Sequence, residues 1–576
     1  MKLPIYTWLP GYDRRWLRSD VIAGLTVWAV LVPEALAYAT IAGVSPVVGL
    51  YAAPGALLLY AAFGSSRHLV VGPMAATAAL SAAAVGDLAA QNTDLFLQLT
   101  ITMSLTVGIA ALVAGLLRLG FLASFISEPV MKGFIIGLAL TIMVGQLPKL
   151  FGVEKGTGNF FEQLRHLLRE LGSTSGITLV VGVTALVVVM GLKRFAPVVP
   201  GSLVAVLGGI AAVHLLDLDQ HGVAIVGNID SGLPSFGLPD VGLSDYLDLA
   251  PAAIGAMLVG FAEGLGAAKT YAAKNNYEID ANRELLGIGA ANLGAGLSSG
   301  MLVNGSLSKT AVNGGAGAKS QMSSLVVAVL TVVTLLFLTG LFEELPEAVL
   351  AAVVIAAVIE LVDIPTLVQL YRTYTSGLGR IYGFAARPDF LAAMAALFGV
   401  LVFDTLPGLF IGIGVSIGLL LYRASRPNIA VLGQAGVDGP FVDVERNADV
   451  TAVPGVVILR IESGLFFANA DAVRASVRTK AADPNVRAVV IDAETIPSLD
   501  VTASHMLVEL GHDLHDEGKR LVFAREVGQI RDVLGSERVS TAIELYPSVR
   551  AAVEALSAES PKERDENRNG RRPSHA

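Results

Sequence analysis

Gly300-Met-Leu-Val-Asn-Gly-Ser-Leu-Ser-Lys-Thr-Ala-Val-Asn-Gly-Gly-Ala-Gly-Ala318, residues 300–318, interrupts a long apolar region with Gly, Ser and Asn and carries one lysine, Lys309. Lipid cannot hydrogen-bond an open backbone. Irregular structure at membrane depth therefore survives only where protein buries it or it lines a cavity. A cation there is costly and as a rule functional. The stretch is expected to be a broken helix whose end and lysine face a small anion, an arrangement that points to a transporter.

The surrounding chain supports a membrane setting. Of its 576 residues 53% are hydrophobic and 15% charged, with a mean hydropathy of +0.64. Apolar stretches of about 20 residues, enough to cross a bilayer, recur from near Asp20 to near Arg423. From about Val444 charged residues become frequent and apolar runs shorten to strand length. Zero cysteines exclude disulfides and thiolate metal sites, and eight scattered His with no HExxH pattern give a metal little support. No cofactor is expected, and a net charge of −9 argues against nucleic acid as a partner. No P-loop or nucleophile elbow is present, so an enzyme is not expected.

Expected spans lie near 20–40, 46–63, 70–90, 99–118, 122–147, 176–193, 200–216, 250–271, 284–299, 305–318, 322–341, 346–362, 387–405 and 407–423. Two are interrupted. The third opens Val70-Val-Gly-Pro-Met-Ala-Ala-Thr, with Gly72 and Pro73 at its start, and the tenth contains Lys309. Interrupted apolar segments at corresponding places in two halves mark the binding site of an inverted-repeat transporter. Third of the first seven and third of the second seven fits that rule. Arg14, Arg15 and Arg18 precede the first span and place the N-terminus in the cytoplasm. Lys193–Arg194, Arg372–Arg380 and Arg423–Arg426 flank other spans, and if Arg423 and Arg426 are inside, the soluble part that follows is expected to be cytoplasmic as well. No cleavable signal is expected at Met-Lys-Leu-Pro. The high Ala, Val and Gly content suggests a bacterial source, hence a multi-pass protein of the cytoplasmic (inner) membrane.

The soluble part alternates elements. Strands are expected at Val456–Ile461, Val486–Asp492 and Lys519–Ala524, and helices at Asn469–Thr479, Thr502–Glu517, 526–534 and 546–557. That order implies an α/β domain. The expected division is a cytoplasmic N-terminus over 1–19, a transmembrane domain over 20–426, a linker over 427–443, the α/β domain over 444–557 and a disordered tail over 558–576.

Three segments resemble the SulP family of anion permeases, bacterial relatives of the animal sulfate/chloride/bicarbonate exchangers. The first is Asp20-Val-Ile-Ala-Gly-Leu-Thr-Val, with Val32-Pro-Glu-Ala-Leu-Ala-Tyr-Ala39 and Gly49-Leu-Tyr51. The second is the Gly72-Pro73 helix start. The third runs from Gly260 through Ala268-Lys-Thr270, Asp280-Ala-Asn-Arg-Glu284 and Asn292 to the run from Gly305 to Asn313. The C-terminal part is similar to the STAS domain, with Ile491-Asp492 and Asp500-Val-Thr502 at its characteristic loop. The resemblance implies fourteen membrane segments in two inverted repeats of seven, forming a core and a gate, with half-helices at segments three and ten. It also implies homodimers and movement of the core against the gate.

Helix N-termini present free N–H groups and a partial positive charge, a ready anion site. Two facing ends are expected from Pro73, Met74, Ala75, Ala76 and Thr77 and from Gly305, Ser306, Leu307, Ser308 and Lys309. Pro73 suits a first helical turn because it has no N–H to leave unpaired. Small side chains there let an anion approach the backbone, although such residues also serve helix packing. The family more often has arginine at position 309, so here a planar fork is replaced by a point charge. Snorkelling or a structural ion pair is the bland alternative for Lys309.

Glu263 lies inside the eighth span, where burial and a nearby lysine act on its charge in opposite senses. It is the favoured proton carrier, and a permanent Glu263–Lys309 pair is the alternative. Glu34, after Pro33 in the first span, is a second candidate for protonation, or a hydrogen-bond partner of Tyr38. In the soluble part Thr502 or Ser504 is a candidate switch site, set against a plain folded module. The leading expectation is secondary active, proton-coupled sulfate uptake, with Na+ as the other coupling ion. Bicarbonate or dicarboxylate (fumarate, succinate) symport and anion exchange are alternatives, and a nucleobase permease, a passive channel and a membrane sensor are more remote.

Overall fold

The computed structural model describes residues 6, 8–89, 92–121, 127–196, 199–227, 229, 231–372, 387–403, 405–436, 439–447, 449–525 and 543–558. Contacts divide the chain into two compact units, with a boundary after Ser416, inside the helix Thr405–Ala424, which is counted with the first unit.

The first unit is helical and built twice. Its first half runs α1 (Leu17–Ile41), α2 (Pro46–Phe63), β1 (Val70–Pro73), α3 (Ala75–Ala89), α4 (Thr93–Leu116), α5 (Glu128–Phe151), α6 (Phe160–Glu170), α7 (Gly176–Phe195) and α8 (Gly201–Leu216). The second repeats that order: α9 (Leu243–Lys274), α10 (Ala281–Leu297), β2 (Val303–Ser306), α11 (Leu307–Gly315), α12 (Met322–Phe337), α13 (Glu347–Val358), α14 (Ile364–Arg372), α15 (Pro388–Phe403) and α16 (Thr405–Ala424). In each half the third membrane segment is a short strand followed by a helix. In each, a short amphipathic helix, α6 or α14, follows the fifth segment. Leaving those two aside, fourteen membrane segments form two repeats of seven. The sequence reading missed α6 and α14 because a few turns of mixed polarity read as loop.

Start signals are local. Asn92 caps α4 by accepting from the amides of Asp94 and Leu95, and Asp280 caps α10 in the same way. Pro46 opens α2 without an N–H to leave unpaired. Gly152 takes the left-handed φ of 66° that ends α5.

Two helical groups result. In the core, α10 packs on α4 and α2, α12 on α1 and α2, and α9 on α4. In the gate, α13 packs on α5 and α7, and α7 on α8. Small residues set these approaches. A methyl group on Gly55 of α2 would come within 2.5 Å of the Gly294 carbonyl oxygen of α10, and one on Gly294 within 2.5 Å of that of Gly55. Core meets gate where α1 touches α8 and α13, and where α3 touches α5.

At the centre of the core β1 and β2 pair antiparallel, with Val70 opposite Ser306 and Pro73 opposite Val303. Antiparallel pairing sends α3 and α11 away from the ribbon in opposite directions, which is the inversion of the repeats made visible. The expected broken helix at 300–318 is thus a strand and a nine-residue helix, and the third span likewise opens as a strand. Pro73 is corrected with it. It ends β1, and α3 begins two residues later, at Ala75.

The second unit is a mixed sheet of order β4-β3-β6-β7-β8-β9, with β5 (Val450–Thr451) beside β3. β6 (Val456–Ile461), β7 (Ala488–Asp492), β8 (Arg520–Ala524) and β9 (Glu544–Tyr546) are parallel. β3 (Ile429–Ala435) runs against β6 and β4 (Phe441–Asp443) against β3. The expected linker over 427–443 is therefore corrected: its strands belong to the sheet. α17 (Ala470–Ala481) and α18 (Val501–Asp516) cover one face and α19 (Val549–Ala558) the other. Every residue of β7 is buried because both of its faces are covered. The expected helix at 526–534, the tail at 558–576 beyond Ala558 and Arg380 lie outside the described residues.

Candidate functional site

An isolated two-stranded ribbon inside a membrane protein must find partners for its outer backbone groups. Side chains from neighbouring helices supply them. Asn292 of α10 accepts from the Val303 amide and donates to the Val303 carbonyl, both at 3.0 Å, as a third strand would. The Thr310 hydroxyl accepts from the Val70 amide at 3.1 Å. Asn313 donates to the His68 carbonyl at 2.9 Å, and Gln321 to the carbonyls of Ser66 and Leu69 at 2.9 Å.

Two buried carboxylates fix the flanking loops. Glu284 accepts from the Tyr60 hydroxyl (2.7 Å), the Ser65 hydroxyl (2.6 Å) and the amides of Ser65 (2.8 Å) and Ser66 (3.0 Å). Asp20 accepts from the Lys319 amide and the Ser320 hydroxyl, both at 2.7 Å. Asp20, Glu284 and Asn292 stand inside the family motifs, where local sequence assigns them no structural task. Lone polar residues within apolar helices were the available signal.

The ribbon brings both sets of expected site residues together. Ala75, Ala76 and Thr77 form the first turn of α3, all buried, with Met74 half-buried before them. Met74 stands at the cap position and has no side-chain oxygen, so the first-turn amides of α3 gain no cap from it. Across the ribbon Gly305 and Ser306 end β2. Ser306 caps α11 by accepting from the Lys309 amide at 3.2 Å and meets the Ser308 hydroxyl at 3.1 Å. Leu307 and Ser308 are exposed, so the first turn of α11 is reachable from outside the packed core.

Lys309 turns back across the ribbon. It is 1% exposed, and its Nζ donates to the Pro73 carbonyl at 3.2 Å and lies 2.7 Å from Glu34 Oε2. The Tyr38 ring, one turn further along α1, has its centroid 5.0 Å from the same nitrogen. The contact with Glu34 is close in distance but poorly directed, since Oε2 accepts no hydrogen bond of good geometry. Charge, more than hydrogen bonding, holds the pair. Three positive ends thus converge: the starts of α3 and α11 and the Lys309 ammonium. One carboxylate answers them.

Glu263 is half-buried on α9 and makes no hydrogen bond or ion pair among the described residues; its Oε2 is buried and unpartnered. The acid beside Lys309 is therefore Glu34, and the alternative of a Glu263–Lys309 pair is not what the structure contains. In the soluble unit Thr502 is exposed in the first turn of α18, which Asp500 caps at the Ala503 amide (2.8 Å), whereas Ser504 is buried. The loop acid Asp492, buried at the end of β7, is gripped by Arg460 and Arg525, with closest contacts of 2.8 and 2.5 Å.

Comparison with known proteins gives one direction. A model described as the sulfate permease family matches residues 17–381, and one described as the STAS domain matches residues 447–552. A protein of Mycobacterium tuberculosis named a probable sulfate transporter is 36% identical over 535 residues, covering 92% of this chain and 93% of its own. Sulfate transporter 3.1 of Arabidopsis thaliana is 29% identical over 589 residues, covering 96% of this chain and 87% of its own. Among solved structures, the murine Solute Carrier 26 family member A9 anion transporter in the inward-facing state superposes with a TM-score of 0.87 at 22% identity. That match covers 97% of this chain and 94% of the murine one. The transmembrane domain of a cyanobacterium bicarbonate transporter gives a TM-score of 0.59 at 23% identity, over 70% of this chain and 99% of that one.

Proposed function

The chain belongs to the sulfate permease family, and from that premise we propose that this anion transporter carries sulfate into the cell together with protons. The observation that carries the reading is the meeting of two helix starts and Lys309 around the single carboxylate of Glu34. Glu34 acts as an internal anion in the substrate's place. A proton on Glu34 removes its charge, frees Lys309 and leaves three positive ends for an incoming oxyanion. When the anion leaves toward the cytoplasm, the proton leaves too and the internal pair re-forms.

Sulfate carries two charges and Glu34 offsets one of them. Glu263, an acid at membrane depth with no partner of its own, serves as the second proton carrier. Substrate contacts come from the backbone at Met74, Ala75, Ala76 and Thr77 and at Leu307 and Ser308, with Pro73, Gly305 and Ser306 shaping the ribbon between them. The core, carrying the ribbon, moves against the gate to open the site to one side and then the other. The protein works as a homodimer in the bacterial cytoplasmic membrane, with both termini cytoplasmic and Thr502 as the reachable hydroxyl for a switch.

The test is labelled sulfate in proteoliposomes, with bicarbonate and fumarate as competitors and with proton or sodium gradients imposed separately. Sulfate is expected to accumulate under an inward proton gradient alone. Glu263→Gln is expected to abolish proton-driven accumulation while sulfate counterflow persists. Accumulation driven by sodium, or undiminished proton-driven uptake in Glu263→Gln, would overturn the proton reading.

A further inference from the structure

Asn304 is the middle of the ribbon, paired in register with Gly72, and is 1% exposed. Among the described residues it is the one buried side chain with two unpaired polar atoms, Oδ1 and Nδ2. Leaving a buried donor and a buried acceptor unmade is costly, so the amide is held ready for a partner that is absent from this arrangement.

Its surroundings name that partner. The Asn304 side chain lies flat on α9. A methyl group on Gly260 would meet Cγ and Nδ2 at 3.0 Å and Oδ1 at 3.1 Å, and one on Gly264 would meet Oδ1 at 3.4 Å. Glu263 sits within this turn of α9, about 80° round the helix from the centre of that glycine face. Its buried Oε2 is also without a partner. Two unpaired groups thus flank the same turn of helix, one on the ribbon that builds the anion site and one on the proposed proton carrier.

We propose that Asn304 is the positioning residue that reads the charge on Glu263. Resting on the proton-carrier reading of Glu263, this goes one step further, to how the carrier's state reaches the ribbon. When Glu263 is ionised, Nδ2 of Asn304 donates to the carboxylate. When Glu263 is protonated, Oδ1 accepts the acid's O–H. A carboxamide can serve both states because it carries a donor and an acceptor side by side. The proton comes from and returns to water, and no other bond changes. Each exchange tilts the ribbon against α9 and so connects the carrier with the anion site.

The other groups facing α9 do not compete for this task. α9 packs on α3, α4, α10, α11 and β2. α11 contributes Lys309, which is engaged by Glu34. α10 contributes Arg283, bonded to the Gly64 carbonyl, and Glu284, engaged by Tyr60 and Ser65. α4 contributes Asp94 in its first turn, while β2 has no titratable residue.

Sulfate uptake by full-length protein in proteoliposomes is measured from pH 5.5 to 8.5 for Asn304→Leu and Asn304→Ser. Leucine matches the volume without polarity, and serine keeps a donor and acceptor in a smaller group. The expected result is a pH midpoint displaced by about one unit in Asn304→Leu and by less in Asn304→Ser, while in a Glu263→Gln background Asn304→Leu leaves the pH profile of the remaining sulfate counterflow unchanged. A larger loss for serine than for leucine, with the midpoint unmoved in both, makes Asn304 a packing residue and overturns the inference. If Asn304→Leu does not fold, Asn304→Ser alone decides by whether its midpoint moves at all. Proton-driven uptake that survives Glu263→Gln overturns the carrier reading and this inference together. Uptake abolished there but with an unmoved midpoint in the Asn304 variants overturns this inference only.

Discussion

Lys309 is costly where it stands. Removing an ammonium from water costs several kcal/mol even after relaxation, and two helix starts nearby add repulsion. The Glu34 carboxylate 2.7 Å away and the Pro73 carbonyl offset that cost. On the proposed reading an external anion competes with Glu34 for the same charge. Glu34→Gln is expected to raise sulfate affinity at least tenfold, equivalent to about 1.4 kcal/mol; isothermal titration calorimetry measures it. Lys309→Met is expected to weaken sulfate binding by about 2–4 kcal/mol, since truncating one partner of a buried charge pair costs on that scale. Unchanged affinity in Lys309→Met would remove the lysine from the site. Each residue of this pair was legible in the sequence as an ionisable group at membrane depth, but their partnership was not. Positions 34 and 309 are far apart in sequence, and no local pattern ties α1 to α11.

At the scale of elements, the ribbon depends on helices that approach closely enough to hold it. α10 supplies Asn292 to β2, and α10 reaches that place because Gly55 and Gly294 allow α2 and α10 to touch backbone to backbone. Overpacking such a contact costs about 1–3 kcal/mol. Gly294→Val is expected to lower the thermal unfolding midpoint in detergent by several degrees and to reduce sulfate uptake with it. Gly191→Ala on α7, where nothing lies within 4 Å, is the expected neutral control. The spans themselves were largely legible, because a long apolar run has few alternatives to a helix in lipid. The two strands were not. Four residues are too few for a period-of-two pattern to show, and the ribbon exists only because β1 and β2 meet across more than two hundred residues.

At the scale of the whole molecule, the two units carry separate apolar cores. The sheet of the second is sandwiched by α17 and α18 on one side and α19 on the other. The proposed anion site is composed entirely of residues from the first unit. A chain ending at Arg426 is therefore expected to retain sulfate counterflow in proteoliposomes, and loss of counterflow in a folded truncation would make the soluble unit part of the transport cycle. The start of the sheet at Ile429, inside what reads as a linker, was hidden because β3 and β4, at one side of the sheet, are of mixed burial. Their polar and glycine content resembles a connecting segment.

By itself the sequence determined the membrane class, the α/β character of the C-terminal part and the two interrupted apolar segments. Those properties follow from composition and local periodicity, which each stretch of chain carries alone. The tertiary structure decided which acid answers Lys309, that the interruptions are paired strands, and that Asn304 of β2, its amide unpaired, packs on the turn of α9 that carries Glu263. Such facts depend on distances between residues remote in the chain, and packing alone sets those distances.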